Sequence, residues 1–379
     1  MLSAKPDMET LRGEFPTLRK WAYLDIARKA PTPRSVQAAV ADFFADINDN
    51  AGRRAFSLDA VNEVRSELAE LLGIPAATLA FVKNTSEGLN LAVQSLDLRA
   101  GDNVVAGEFE HEAQLFALRA IAERRGFEVR IAKAVEGRIP PAAFIALMDD
   151  KTRLCAASHV AFSNGYRLDL PALGAECRSR NVILMTDIIQ SVGLLNAPLP
   201  TLGADIAVAG CHKALLGLNG TGFLYCREEL IERLVPPFAG KNSVISGRLD
   251  EGPLAFRADM RRFEYGNPNF LGIAALSAAV RLVKSFGLAR IEARVRDLTT
   301  ELIERATAAG VAVRTPRDWS ERAGIVSFRL PGAAEDMVGR LAAAGVIANA
   351  KDGYVRASLH AYNSSEDIDR LLKCVLSHG

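Results

Sequence analysis

Lys213 has the surroundings that a lysine needs for covalent chemistry. It follows His212 at the end of a predicted strand, and the glycine-rich stretch GLNGTG comes shortly after it. An aldehyde cofactor requires a lysine amine close to the loop that follows a strand, and glycines where the backbone approaches a phosphate group. The pattern therefore favours a lysine that forms a Schiff base, with a surface lysine beside a β-turn as the alternative.

A carboxylate and an amide follow another predicted strand, in the segment VILMTDIIQS. Asp187 lies just past the apolar run, and Gln190 comes three residues later. An enzyme that uses pyridoxal 5'-phosphate (PLP) needs a carboxylate against the pyridine nitrogen, because the protonated ring accepts electrons. Asp187 could supply that carboxylate, and Gln190 could hydrogen-bond the ring oxygen. A helix N-cap is the alternative for Asp187.

Two further segments place polar side chains after strands. Thr85 and Ser86 lie in a turn from a strand into a helix, where hydroxyl and backbone N–H groups bind phosphate well. His111, in GEFEHEAQ, follows a predicted strand, where an imidazole could stack on a flat ring or move protons. A helix cap is the alternative for the two hydroxyls, and a histidine without a chemical role is the alternative for His111.

These residues all stand on an alternation of strands and helices. The pattern includes a helix that Gly73 closes and runs to about residue 240, which indicates a mostly parallel sheet covered by helices on both faces. From about residue 270 a long helix, over 271–287 and then 289–310, precedes short strands and a final helix. We therefore predict a smaller C-terminal α+β domain.

The length of 379 residues suits two domains. We place the boundary in the stretch FEYGNPNFLG, which gives an N-terminal arm over 1–20, a large PLP-binding domain over 21–265 and a small C-terminal domain over 266–379. The formal net charge is +1, so neither nucleic acid nor a membrane surface is predicted as a partner.

The five cysteines indicate a reducing compartment. They are scattered, and they form no pair or cluster with metal-ligand spacing, so no metal site is predicted. The N-terminus lacks the apolar core of a signal peptide, and no apolar run is long enough to span a bilayer. We therefore expect a cytoplasmic protein.

Five motifs in a fixed order resemble one enzyme family. TSE, EHEAQ, DIIQS, CHK with its glycine-rich turn, and YVRASLHAYNSSEDID are similar to the class V aminotransferase group of fold-type I PLP-dependent enzymes. That group includes cysteine desulfurases, selenocysteine lyases, isopenicillin N epimerase-like proteins and kynureninase relatives. The resemblance runs from AYLD, at residue 22, to the last helix. It implies a mostly parallel seven-stranded sheet flanked by helices, a small C-terminal α+β domain and a homodimer.

The resemblance also implies a role for each motif residue. Lys213, His111 and Asp187 match the catalytic residues of the family. The residues that match cofactor contacts are Thr85, Ser86, His111, Asp187, Gln190, His212, Lys213 and, in the GNP stretch that reaches the partner's phosphate, Asn267. Arg356 matches the arginine that binds the substrate α-carboxylate, a task that suits a planar guanidinium.

The chain departs from the family pattern at several positions. Phe162 stands where desulfurases have an asparagine near the ring, and Asn164 is two residues away. Gly210 replaces a serine that usually contacts the phosphate. Desulfurases carry a nucleophilic cysteine shortly before the carboxylate arginine, whereas AAAGVIANAKDGYVR has none, and Cys374 lies beyond it in the last helix. A persulfide relay is therefore not expected.

The first motif carries unusual positive charge. Arg28 and Lys29 follow AYLD, where family members usually have small polar residues near the substrate, and Arg53 and Arg54 come later. These cations either point to solvent or contact an acidic group of the substrate. We count Arg28 with Arg356 among the predicted substrate-binding residues.

The sequence thus predicts a PLP-dependent enzyme that acts on a small amino acid. Lys213, released from the cofactor, would act as the base at the substrate Cα. An aminotransferase, or a desulfurase-like C–S lyase that lacks the persulfide cysteine, is the leading prediction, and an epimerase is the alternative. A catalytically silent PLP-fold subunit is the alternative of another class, since Gly210 and Phe162 depart from the family pattern.

Overall fold

The computed structural model describes residues 7–246 and 252–377. Its strands lie in chain order at β1 (Ala22–Tyr23), β2 (Leu79–Val82), β3 (Asn103–Gly107), β4 (Glu128–Ala132), β5 (Thr152–Ser158), β6 (Ile183–Asp187), β7 (Ile206–Gly210), β8 (Gly222–Cys226), β9 (Val244–Ser246), β10 (Ala255–Phe256), β11 (Ala312–Val313), β12 (Ile325–Arg329), β13 (Val346–Ile347), β14 (Asn349–Lys351) and β15 (Tyr354–Ser358).

The helices alternate with these strands through the first two thirds of the chain. They are α1 (Met8–Gly13), α2 (Arg34–Asn50), α3 (Leu58–Leu72), α4 (Thr85–Ser95), α5 (Glu112–Arg125), α6 (Pro141–Ile145), α7 (Leu170–Ser179), α8 (Glu228–Ile231), α9 (Phe270–Phe286), α10 (Leu288–Ala308), α11 (Ala334–Ala343) and α12 (Ser365–Leu376). Gly73 ends α3 in the left-handed conformation, as the sequence predicts.

A seven-stranded sheet forms the centre of the larger part. Its order is β2-β8-β7-β6-β5-β3-β4, and only β8 runs antiparallel to its neighbours. Side chains of β5 alternate between two apolar clusters, with Cys155 and Ala157 on one face and Leu154 and Ala156 on the other. Because both faces are covered, the strands consist of continuous apolar runs. The prediction of a mostly parallel sheet is confirmed.

The carboxyl ends of the parallel strands meet at one edge of this sheet, where ligand sites form in such folds. Asp187 ends β6 and Gly210 ends β7. Gly222, at the start of β8, faces Gly210, and a Cβ on Gly222 would lie 2.7 Å from Ala209 O and 3.3 Å from Asn84 Cα. A side chain there would push α4 away from the strands, so glycine keeps the start of α4 at this edge.

A second, antiparallel sheet of order β11-β12-β15-β14 forms the C-terminal part. The N-terminal segment contacts this part rather than the large sheet alone, since β1 pairs with β13 and Asp25 forms a bridge with Ser358. The first strand of the chain therefore lies beside the C-terminal part, which carries Arg356. The division into arm, large domain and small domain stays a prediction.

The long helix expected after residue 270 is interrupted. Gly287, with φ of 83° and ψ of 131°, separates α9 from α10, and the two helices meet at 75°. Among the described helices, none is by itself both long and apolar enough to cross a membrane, and this bent pair alone meets those criteria when its halves are joined.

Candidate active site

Lys213 lies in the turn that follows β7 and is half-buried. Leu216 N donates to Lys213 O over 2.8 Å, and Ala30 N donates to His212 O over 2.8 Å. Burial lowers the pKa of Lys213 to about 8, while the charge of Asp187 opposes this effect. An amine whose pKa is lowered in this way is a good nucleophile and base, which favours the Schiff-base prediction.

Asp187 lies next to this lysine at the end of β6. Its Oδ1 accepts a hydrogen bond from Ile189 N over 2.8 Å. Burial raises the pKa of Asp187 to about 6, and the charge of Lys213 opposes the rise. Residues 189–194 form turns rather than a helix, so the N-cap alternative for Asp187 is not observed.

His111 has two roles in the structure at once. It is the N-cap of α5, where its Nδ1 accepts from Ala113 N over 3.1 Å, so Nε2 carries the hydrogen of the neutral ring. Its ring also lies 5.1 Å from the Phe162 ring, at 57°. Burial lowers the pKa of His111, and Lys213 and Lys351 add to this effect. The imidazole therefore belongs to the same cluster as Lys213.

Thr85 and Ser86 begin α4, but neither caps it. Asn84 is the N-cap, because its side chain accepts from Glu87 N over 2.9 Å. The buried Thr85 hydroxyl accepts from Gly210 N over 2.8 Å, which ties α4 to the end of β7. Ser86 is exposed. The first turn of α4 thus faces the lysine loop with the positive end of the helix dipole, an arrangement that suits a phosphate.

Gly210 has a local reason to lack a side chain. A Cβ at this position would lie 3.0 Å from two atoms of the His212 ring. Burial lowers the pKa of His212 to about 4, with a further contribution from Lys213, so the ring is neutral. The His212 ring therefore occupies the space that a side chain at position 210 would need.

Gln190 joins the N-terminal segment to the site. Its Nε2 donates to Ala27 O over 3.1 Å, and Ala27 N donates to Ser358 Oγ over 2.9 Å. The segment after β1 is therefore held between the large sheet and β15. Arg28 and Lys29, which follow Ala27, are exposed.

Arg356 lies on β15, in the C-terminal sheet. Its Nη1 donates to Phe162 O over 2.8 Å, and its Nη2 donates to Asp25 Oδ1 over 3.2 Å. Among the described residues, none accepts a hydrogen bond from its buried Nε. Buried donors are nearly always paired, so this vacant N–H suits an incoming carboxylate. Burial lowers the pKa of Arg356, which Asp25 opposes.

The sequence reasoning missed two buried carboxyl groups. Asp25 pairs with Arg356 and also accepts from Asn349 Nδ2 over 3.3 Å, and its place in the AYLD motif was the available signal. Glu110, directly before His111, accepts from Ser158 N and Gln114 Nε2, each over 2.9 Å. Burial raises the pKa of Glu110 to about 8, and Asp187 adds to this effect.

Phe162 lies between His111 and Arg356. Its ring contacts His111, and Lys351 Nζ lies 4.9 Å from the ring centroid. Asn164 does not replace the expected asparagine, because its Nδ2 donates to Gly137 O over 2.7 Å and its Oδ1 accepts from Tyr166 N over 3.1 Å. Beside His111 the site therefore has the aromatic ring of Phe162 instead of the expected asparagine amide.

Three of the predicted residues are not brought to Lys213 within one chain. Asn267 lines a separate cavity of about 350 Å³ together with Lys83 and Tyr265. Arg54 pairs with Glu63 on the surface over 2.7 Å, and Arg53 is exposed. Any contact of Asn267, Arg53 or Arg54 with a Lys213 site would have to come from a second subunit.

The residues fit PLP. Lys213 could hold the aldehyde carbon, Asp187 the pyridine nitrogen and the first turn of α4 the phosphate. The vacant Nε of Arg356 leaves a donor for a substrate carboxylate on the far side.

Comparison with known proteins agrees with this chemistry. Residues 22–371 match the family described as aminotransferase class V. The chain belongs to the class V aminotransferase family. A probable cysteine desulfurase of Methanothermobacter thermautotrophicus is 30% identical over 96% of this chain and 96% of its own. A cysteine desulfurase of Salmonella newport is 31% identical, again over 96% of each chain.

A solved structure shows the same fold in this family. The apo cysteine desulfurase from Thermococcus onnurineus NA1 has a TM-score of 0.91 at 26% identity, and the match covers 100% of this chain and 99% of that one. The resemblance to class V aminotransferases and the expected fold class are therefore confirmed. Since the family depends on PLP, the chain is a PLP-dependent enzyme, as predicted.

Proposed function

We propose that this class V aminotransferase-family enzyme cleaves the C–S bond of a small, cysteine-like amino acid. The observation that carries the proposal is the Lys213 amine, whose pKa burial lowers to about 8 and which feels the charges of both Asp187 and Arg356. These are the groups that activation of an amino acid at Cα requires: a base, an anion for the ring nitrogen and a cation for the carboxylate.

The side chains divide the work as follows. Arg356 binds the α-carboxylate, using the donor at Nε. Bound PLP supplies an electron sink that makes the Cα proton removable. Lys213 Nζ would take that proton, the sulfur would leave with the electron pair of the C–S bond as a thiol or sulfide, and water would hydrolyse the released dehydroamino acid, for cysteine to pyruvate and ammonia. Asp187 would keep the ring nitrogen protonated. His111 would stack on the ring or donate from Nε2, since its Nδ1 accepts from Ala113 N.

The sulfur chemistry is proposed from the relatives and from the cysteines. The relatives named above are cysteine desulfurases. In this chain all five cysteines are buried, and the segment between α11 and β15 contains none. We therefore propose that sulfur leaves as a free thiol or sulfide rather than as a persulfide on the protein.

We also propose that the active unit is a homodimer in the cytoplasm. Phe44, Phe56 and Leu58 are each about half exposed, at 51%, 53% and 51%. Leu58 also lines the cavity that holds Asn267, so an apolar surface is continuous with that cavity. A second copy on this surface would bring Asn267 towards the neighbouring site. The buried thiols, none in a disulfide, support a reducing compartment.

A substrate screen tests the proposal. The PLP-loaded enzyme is mixed with cysteine, cystine, alanine and aspartate, and sulfide, keto acids and the opposite enantiomer are quantified. We expect sulfide or a persulfide from the sulfur amino acids in multiple turnovers. A keto acid from alanine without sulfide release from cysteine would favour an aminotransferase, and racemisation alone would favour an epimerase.

A further inference from the structure

The buried ion pair on the substrate side raises a problem of charge. Arg356 is predicted to bind a carboxylate, yet Asp25 already occupies its Nη2 over 3.2 Å. Both side chains are nearly inaccessible, with 6% of Arg356 and 3% of Asp25 exposed. A second carboxylate on one guanidinium would leave a net negative charge in a dry site, which is costly unless another cation compensates.

Two cations act on this pair: Lys213, which the cofactor engages in the loaded enzyme, and Arg28. Arg28 N donates to Asp25 O over 3.1 Å, so the two residues begin and end one tight turn. Burial raises the pKa of Asp25, and the charges of Arg356 and then Arg28 oppose that rise. Burial also lowers the pKa of Arg356, and Arg28 adds to this effect. The Arg28 charge therefore acts on both members of the pair.

The backbone around Arg28 is fixed to both sides of the site. Ala27 O accepts from Gln190 Nε2, and Ala30 N donates to His212 O. The Arg28 side chain itself is exposed and makes none of the hydrogen bonds among the described residues that would commit it to another partner. Its charge therefore acts on Asp25 and Arg356 from outside the buried pair.

We propose that Arg28 is a positioning residue. When the α-carboxylate of a substrate binds Arg356, Arg28 becomes the cation that balances the negative charge of Asp25. In the free enzyme Asp25 neutralises Arg356, and Asn349 holds the second oxygen of Asp25 over 3.3 Å. With substrate bound, two cations face two carboxylates. Arg28 thereby favours every α-amino acid alike, rather than selecting acidic side chains.

This inference rests on the proposed function and is tested by binding. The dissociation constants of L-alanine and L-alaninamide are measured from the change in cofactor absorbance of the PLP-loaded enzyme. Arg28→Ala should weaken L-alanine about fivefold, the size expected for a partly exposed charge pair, and leave L-alaninamide unchanged. Arg28→Lys should bind L-alanine almost as the unmutated protein does, because the charge is kept.

Two further variants separate a local effect from a general one. Lys29→Ala removes an equally exposed charge next in sequence and should weaken L-alanine much less. In an Asp25→Asn background the Arg28→Ala substitution should have no further effect, since the charge that it compensates is gone. If Asp25→Asn does not fold, the comparison of L-alanine with L-alaninamide and the variants Arg28→Lys and Lys29→Ala still decide the question.

The outcomes that overturn the proposal are distinct. Equal weakening of L-alanine and L-alaninamide, or equal effects of Arg28→Ala and Lys29→Ala, would contradict it. Weakening of L-aspartate alone would mean that Arg28 contacts a side-chain anion instead. An unmutated enzyme whose absorbance responds to no amino acid would contradict the proposed function itself, whereas a responsive enzyme with an unaffected Arg28→Ala variant would contradict only this inference.

Discussion

The cofactor side and the substrate side of the pocket are built in different ways. The cofactor side consists of Lys213, Asp187 and the start of α4, which lie at the carboxyl ends of β7, β6 and β2 in one sheet. The substrate side joins Asp25 and Arg356, which are 331 residues apart in sequence. The Asp187 carboxylate is held by a backbone N–H two residues away, whereas Arg356 depends on a distant ion pair.

This difference determines how each side should respond to substitution. A substitution of Asp187 removes its negative charge from the site, but the backbone of the same segment should keep its conformation. A change at Arg356 or Asp25 leaves the other partner as a buried charge, which is itself strongly destabilising. Substitutions on the cofactor side should therefore mainly slow the chemical step, whereas substitutions on the substrate side should mainly weaken binding and lower stability.

The largest effect is expected on the cofactor side. Asp187→Ala should bind PLP but exchange the Cα proton of an amino acid on the order of a thousandfold more slowly, because an enclosed charge that stabilises the transition state is lost. Exchange is followed by NMR in deuterated water, with Asp187→Asn as the isosteric control. Exchange at the unmutated rate in Asp187→Ala would remove the proposed distinction between the sides.

On the substrate side, Arg356→Ala should act mainly on binding. The loss of a charge-assisted pair corresponds to about tenfold to hundredfold weaker binding of every amino acid. Because Asp25 is left unpaired, the unfolding midpoint should also fall, and Asp25→Asn in the same chain should restore part of it. Calorimetry and thermal unfolding measure the two quantities. A normal affinity would show that another residue binds the carboxylate.

Both sides meet at Lys213, so pH dependence compares them directly. The rate at which cofactor-free enzyme takes up PLP should rise with pH through about 8, since the neutral amine is the attacking form and burial lowers the pKa of Lys213 to about 8. Asp187 raises this pKa and Arg356 lowers it. Asp187→Asn should therefore move the midpoint to lower pH, and Arg356→Ala to higher pH.

Stopped-flow absorbance at constant ionic strength measures these midpoints. A shift in the same direction for both variants would contradict the assignment of opposite electrostatic effects to the two sides.

The smallest effect is expected at Gly210. Gly210→Ser would press a Cβ against the His212 ring, which lies 3.0 Å away, and should lower stability by about 1–3 kcal/mol. The melting temperature and the PLP dissociation constant report the result, with Gly210→Ala as the control. Tighter PLP binding at unchanged stability would mean that the missing serine contact outweighs the crowding.

The same contrast explains what the sequence could predict. Parallel strands end at one edge, so Asp187, Gln190 and Lys213 could be grouped once the strands were recognised. The Asp25–Arg356 pair could not be anticipated, because no spacing rule links β1 to the C-terminal sheet. The break at Gly287 was missed because helical periodicity continues on both sides of one glycine.

The central claim is that Lys213 both anchors the cofactor and moves the Cα proton. The direct test is Lys213→Ala, with Lys213→Arg as the control that keeps a charge. After reconstitution and dialysis, the account predicts no visible absorbance from lysine-bound PLP and no detectable exchange of the Cα proton of L-alanine in deuterated water. A Lys213→Ala protein that keeps that absorbance, or that exchanges the proton at the unmutated rate, would contradict it.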